Sequence, residues 1–168
     1  MTLQELYSRV VAVRDGLASG SLIRDTITGH GEDIIERQRI QLLRGLASDG
    51  QDLRPYYSED LKPAGRFYSV ESAGRYAAMK QDIAYPYQVE RNPDAPNLYF
   101  NGRFHDELGV AFDGEGVTIV GETGYARGIV AKYGAENFGL MPEYWAEIWR
   151  ETGALDELLE ALKTELYG

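Results

Sequence analysis

Residues 104–122 read Phe104-His105-Asp106-Glu107-Leu108-Gly109-Val110-Ala111-Phe112-Asp113-Gly114-Glu115-Gly116-Val117-Thr118-Ile119-Val120-Gly121-Glu122. Asp-Gly between two extended runs is a strong hairpin signal, because the turn needs residues that tolerate positive φ. The spacing predicts strands over Phe104–Phe112 and Gly116–Glu122. Val110 and Phe112 alternate on the first, and Val117, Ile119 and Gly121 on the second, so one face is half-buried. A hairpin alone is marginal in water, so that face needs helices to cover it.

Helical patterns lie on both sides. On the C-terminal side, Tyr125–Tyr133 reads as a short helix ended by Gly134. Pro142 suits the first turn of the next, which carries Tyr144, Trp145, Ile148 and Trp149. Trp145 and Trp149 are one turn apart and share a face. Thr152-Gly153 is a candidate bend, after which Leu155, Leu158, Leu159, Leu162 and Leu166 continue an apolar stripe. On the N-terminal side, Thr2 and Glu5 form a capping box ahead of Leu3, Leu6, Tyr7, Val10, Val11 and Val13. Gly16 and Ser19-Gly20 end that helix. A second helix is expected over Glu32–Ala47, with Ile34, Ile35, Gln38, Leu42, Leu43 and Leu46 in one stripe. Residues 51–65 look like an ordered loop. A helix over Ser72–Ile83 follows, with Tyr76, Met79 and Ile83 inward, and then a proline-punctuated connector. The expected fold is α+β in one domain. Residues 1–97 form a helical and ordered-loop part, and residues 98–168 a strand–strand–helix–helix unit whose hairpin packs on the two C-terminal helices.

The chain has 168 residues, 43% hydrophobic, enough for a core. No apolar run is long enough to cross a bilayer and no secretory signal is visible, so no membrane partner is expected. Cysteine is absent, which excludes disulfides and thiolate metal sites. The formal net charge is −10, which repels phosphate backbones and disfavours nucleic-acid binding. The last 34 residues, 135–168, carry eight acids against two bases, a net of −6.

Chemistry-bearing constellations are sparse. His105-Asp106-Glu107 is the one histidine beside carboxylates. On a strand, His105 and Glu107 would share a face at the solvent side, without further ligands. His30, in Thr28-Gly29-His30-Gly31, is expected in a loop. No phosphate loop and no nucleophile elbow is present. No catalytic, cofactor-binding or metal residue is therefore expected. The residues expected to meet partners are the basic Arg37, Arg39 and Arg44, the loop tyrosines Tyr56, Tyr57, Tyr85 and Tyr87, and the acidic Glu157, Glu160 and Glu165, since tyrosine and arginine are enriched at interfaces. Gly102, Gly114 and Gly134 sit at apparent turns where positive φ is cheap only for glycine.

The order of motifs in the last third resembles the tail-completion and head–tail joining proteins of long-tailed bacteriophages. The residues that carry it are Phe100-Asn101-Gly102-Arg103-Phe104, the strands through Val110 and Val117–Val120, Tyr125-Ala126 opening a helix, and Tyr133-Gly134 closing it. Lys132-Tyr133-Gly134-Ala135-Glu136-Asn137-Phe138-Gly139-Leu140 is similar to a variant in uncharacterised phage and prophage proteins. So is Gln41-Leu42-Leu43-Arg44-Gly45-Leu46 followed by Gly50 and Pro55-Tyr56-Tyr57-Ser58. Asn101 stands where threonine is usual, and the Gly-Thr and Pro-Phe pieces after the aromatic-Gly pair are missing. The resemblance implies a non-enzymatic virion protein, assembled in the bacterial host cytoplasm. It would act at the neck or tail terminus through self-association, which in proteins of this kind often builds a ring, and through contacts with other phage head or tail proteins. Two alternatives stand beside it: a small carbohydrate hydrolase using an Asp/Glu pair and the tyrosine-rich loop, and a cytosolic protein-binding module.

Overall fold

A computed structural model describes residues 2–53, 69–84, 88–90, 92, 95–113 and 116–167. Eight helices flank one antiparallel hairpin among the described residues. The fold is α+β and mostly helical: N-terminal helices, then a two-stranded sheet, then C-terminal helices.

The first helix, α1 (Leu3–Ala18), begins with the expected capping box, Thr2 accepting from Glu5 N–H and Glu5 reaching back to Thr2 N–H. No residue of α1 is buried. A second helix, α2 (Ser21–Thr28), follows where the sequence reading had none. Gly20, at φ +72°, turns the chain and a new helix starts at once, held by Thr26 and Ile27, which are buried. The next, α3 (Gly31–Leu43), carries the predicted stripe, with Ile34, Ile35, Gln38, Leu42 and Leu43 buried. It ends before the expected Ala47 because Gly45 adopts φ +79°. The helix α4 (Val70–Gln81) has a Ser69 cap. Its buried face is marked by Ala73 and Lys80, seven residues apart, with Tyr76 half-buried beside them. Met79, expected inward, lies about 100° round the helix from Lys80 and is exposed.

The first predicted strand is shorter than expected. Residues Arg103–Asp106 form a helical turn, α5, and β1 spans Leu108–Asp113. Gly102, at φ +85°, reverses the chain, and Asn101 Oδ1 accepts Arg103 N–H. That turn buries Phe104 and His105, which a strand there would place on opposite faces. The second strand, β2, is Gly116–Gly121. The register pairs Leu108 with Gly121, Val110 with Ile119, and Phe112 with Val117, so the predicted apolar face is one face. Leu108 and Ile119 are buried, while Val110, Phe112 and Val117, nearer the hairpin end, are half-buried.

β2 lies on α6 (Gly124–Tyr133) and β1 on α3. Gly121 makes the first of these contacts possible: a Cβ there would come within 2.5 Å of the Ala126 carbonyl carbon and the Arg127 nitrogen. Gly134, at φ +90°, ends α6 before the 3₁₀ turn Ala135–Asn137. Of the other glycines read as turns, Gly102 also has positive φ, and Gly114 lies outside the described residues. Then come α7 (Pro142–Glu151), with Pro142 in its first turn, and α8 (Ala154–Tyr167), separated at Gly153 with φ +88°. One core joins Ile34, Ile35 and Leu42 of α3 to Phe104, Leu108, Ile119, Ala126, Val130, Tyr144 and Ile148. Trp145 and Trp149 pack half-buried against it. Burying a side chain such as Ile148 or Leu42 contributes about 1.5–3 kcal/mol each.

Candidate functional site

His105 is not at a solvent face. It is 2% exposed, ringed by Tyr99 and Phe104 in edge contacts at 5.4 and 5.8 Å between ring centres. Its Nε2 lies 3.1 Å from the Asn97 carbonyl. A carbonyl only accepts, so Nε2 carries the hydrogen and Nδ1 presents a lone pair. Nδ1 is buried with no hydrogen-bond partner among the described residues. Burial lowers the His105 pKa to about 4, opposed by the Asn97 carbonyl and assisted by the positive charges of Arg39 and Lys80. The imidazole is therefore neutral at pH 7. The turn that supplies the carbonyl contains Leu98 at φ +53°, the one non-glycine residue with positive φ among those described. Asn97 Oδ1 accepts the Tyr99 N–H across that turn.

Glu107, expected to share a face with His105, points elsewhere. It accepts from the Thr123 hydroxyl and, at 2.7 Å, from Arg103 Nε. The Thr123 bond and then Arg103 hold its carboxyl below the usual range. The pair is a link between α5 and the start of α6, with no shared geometry that would let both groups act on one ligand.

Beside this cluster is an open cleft of about 460 Å³ between the α2–α3 turn and β1. Its charged lining is Glu32, Asp106 and Glu122 with the half-buried Arg39. Glu122 folds across Gly109, where a Cβ would meet its Oε1 at 2.6 Å. The cleft is a polar surface of mixed sign. Among the described residues no group of three or more His, Asp or Glu is arranged to hold a metal ion.

The residues expected at interfaces divide sharply. Arg37 pairs inside the chain with Glu147 at 3.2 Å and Glu151 at 3.3 Å. Arg39 donates from Nε to the His105 carbonyl at 2.9 Å. Arg44 donates to the Tyr144 hydroxyl at 2.7 Å and lies near its ring. Glu157 meets His30 Nε2 at 3.3 Å, and Asp33 meets His30 Nδ1 at 3.0 Å. His30 lies, as expected, in the connection between α2 and α3, but it is buried there and ties the head of α3 to α8. Glu160 pairs with Lys163, and Glu165 is exposed. Tyr56, Tyr57, Tyr85 and Tyr87 lie outside the described residues.

What the residue-by-residue reading did not single out is an exposed apolar surface. On α1, Leu3 is 90% and Tyr7 69% exposed, with Leu6, Val10 and Leu17 also exposed. α8, which packs against α1, exposes Leu155, Leu159 and Tyr167. The signal was present as the helical spacing of α1, but spacing marks an apolar face without saying what covers it. No family model, curated protein or solved structure matches this chain.

Proposed function

We propose that this chain is a non-enzymatic assembly protein of a tailed-bacteriophage particle, working at the head–tail junction or tail terminus by binding copies of itself and other virion proteins. The observation that carries the reading is the apolar surface on α1 and α8. Large aliphatic and aromatic side chains are held out of a core that already closes without them. On a chain of net charge −10 such clustered exposure is a feature of interaction surfaces rather than of a protein that works alone. The motif order from Phe100 to Gly134 supports the phage context. Among the described residues, the buried neutral His105 and the internally paired Arg37 serve the fold, while the apolar side chains of α1 and α8 stay open to solvent.

Mass spectrometry of purified phage particles, produced by the host that carries the gene, tests this. The expected result is the chain present at a fixed small copy number per particle. Its absence from particles that assemble fully would refute the reading.

A further inference from the structure

We propose that the free edge of β1 is a docking site for an extended segment of another protein, one in which apolar and basic residues alternate. The inference goes beyond the assembly reading. It concerns a different surface from that of α1 and α8 and does not rest on it.

The hairpin register decides which main-chain groups of β1 are engaged. Glu122 N–H donates to the Glu107 carbonyl at 2.9 Å. Antiparallel pairs alternate, so Gly109–Val120 and Ala111–Thr118 are the next pairs to exchange hydrogen bonds. Leu108, Val110 and Phe112 therefore turn their N–H and C=O groups away from β2. None of these groups meets a main-chain partner among the described residues. An edge of this kind is a template for one more strand, whose own main chain supplies the missing partners.

The open cleft of about 460 Å³ runs along that edge. Leu108, Gly109 and Val110 line it in succession, from both faces of the strand, and β2 contributes Glu122 but neither Val117 nor Ile119. The cleft thus opens on the side of β1 rather than over the apolar face of the sheet. Its opposite wall is the start of α3, with Glu32 and Ile35. A strand laid here alternates its side chains between two surroundings. One set faces α3 and meets Ile35, Val110 and Phe112. The other faces Gly109 and the Glu122 carboxylate that folds across it.

Charge selects the occupant. Glu32, Asp106 and Glu122 are exposed, and none of them forms an ion pair among the described residues. Arg39, the one basic residue of the described lining, already donates to the His105 carbonyl. Three acids against one base attract lysine or arginine and repel carboxylates. A second copy of this chain is a poor fit. Its β1 reads Leu-Gly-Val-Ala-Phe-Asp, without a cation, and it would bring the same acids to the same place. The edge, the apolar wall and the charge are satisfied together by a foreign strand whose β-branched residues alternate with basic ones. The outward groups come from only three residues of β1, so the complex is weak.

A short synthetic peptide of alternating valine and lysine, titrated into the full chain up to about 1 mM, the weak end of the affinity scale, is the probe. Amide chemical shifts read binding and hydrogen exchange reads strand pairing. The expected result is saturable binding, with exchange slowed at the Val110 and Phe112 N–H groups. The same peptide N-methylated at every peptide bond keeps its charge but cannot donate, and should not bind; nor should a valine–glutamate peptide. Glu32→Gln/Glu122→Gln changes two exposed side chains, so circular dichroism should stay the same while binding weakens by roughly five- to tenfold, the range for two exposed charge pairs. Absence of binding by the valine–lysine peptide, or equal binding by either control peptide, would overturn the proposal. So would protection of Val110 and Phe112 in the free chain that rises with its concentration, the mark of a second copy at this edge. None of these results bears on whether the chain is found in phage particles, so the two readings fail separately.

Discussion

Arg39, on α3, donates a hydrogen bond from Nε to the main-chain carbonyl of His105, 2.9 Å away and 66 residues on. The bond ties the central helix to the helical turn that precedes the hairpin. An arginine expected to reach a partner is thereby engaged inside the chain. Charged-donor hydrogen bonds are worth about 1.5–3 kcal/mol. Arg39→Ala should lower stability by about that amount in urea unfolding, and Arg39→Lys should restore only part of it, because the ammonium lacks the planar donor fork. Wild-type stability in Arg39→Ala would show the bond to be dispensable.

The second prediction concerns pH. His105 titrates near pH 4 in the folded chain against 6.5 for the free side chain, because its burial disfavours the imidazolium. Between these values the unfolded state binds the additional proton. Stability is therefore complete above pH 6.5, falls as pH drops from 6.5 to 4, and stops changing from this source below 4. The total is on the order of 3 kcal/mol. Urea unfolding at several pH values should show a steeper acid loss for the wild type than for His105→Gln, which cannot titrate. Parallel curves would remove the argument.

Gln41 provides the third. It is fully buried, donates to the Gly139 carbonyl at 2.9 Å and accepts from Met141 N–H at 3.0 Å. Gln38 accepts from Gly139 N–H at 3.0 Å. Two glutamines one turn apart thus replace strand pairing for the segment entering α7. Gln41→Leu keeps the volume but leaves two part-buried main-chain groups without their partner, at about 1 kcal/mol or more each. The melting temperature should fall by roughly 5 °C or more on the usual scale for a domain this size. Gln41→Glu should be no better, since a carboxylate cannot donate to the carbonyl.

Two glycines make the fourth. Gly134→Val forces a branched residue to φ +90° and should cost about 1–3 kcal/mol. Gly121→Ala should cost at least as much for a different reason, since the added methyl meets main chain of α6 rather than a flexible side chain. Denaturant midpoints for both variants, with hydrogen exchange on β2, would separate them: the Gly121 change should loosen β2 and α6 together. Protection unchanged across both elements in the Gly121 variant would contradict the close approach.

The fifth follows from where the arginines went. Arg37 is paired with Glu147 and Glu151 and Arg44 with Tyr144 in one chain. Association through the exposed apolar surface of α1 and α8 should therefore change by less than about threefold between low and high salt, exposed charge pairs being screened within about 10 Å at 0.1 M. A tenfold weakening would place those arginines against Glu157, Glu160 or Glu165 of another copy after all.

Local chemistry determined much of this molecule. The Thr2–Glu5 cap, the start of α7 at Pro142 and the left-handed backbone at Gly102 and Gly134 each depend on residues within one turn of each other. The face shared by Leu108, Val110, Ile119 and Phe112 follows from strand alternation alone. Asn101 and Gly102 start the turn locally, but the spacing of residues 103–106 reads equally well as the first half of a strand. That choice belongs to the core, which accepts Phe104 and His105 together, and to Arg39, which arrives from α3 to hold the turn's carbonyl. The same holds for the two kinds of apolar helix face. Ile34, Ile35 and Leu42 of α3 and Leu3, Leu6 and Val10 of α1 follow the same helical spacing, yet the first set is sealed and the second is open to solvent. Spacing is a property of one helix, whereas burial depends on which other helices come to lie against it, and those contacts are made between residues far apart in the chain.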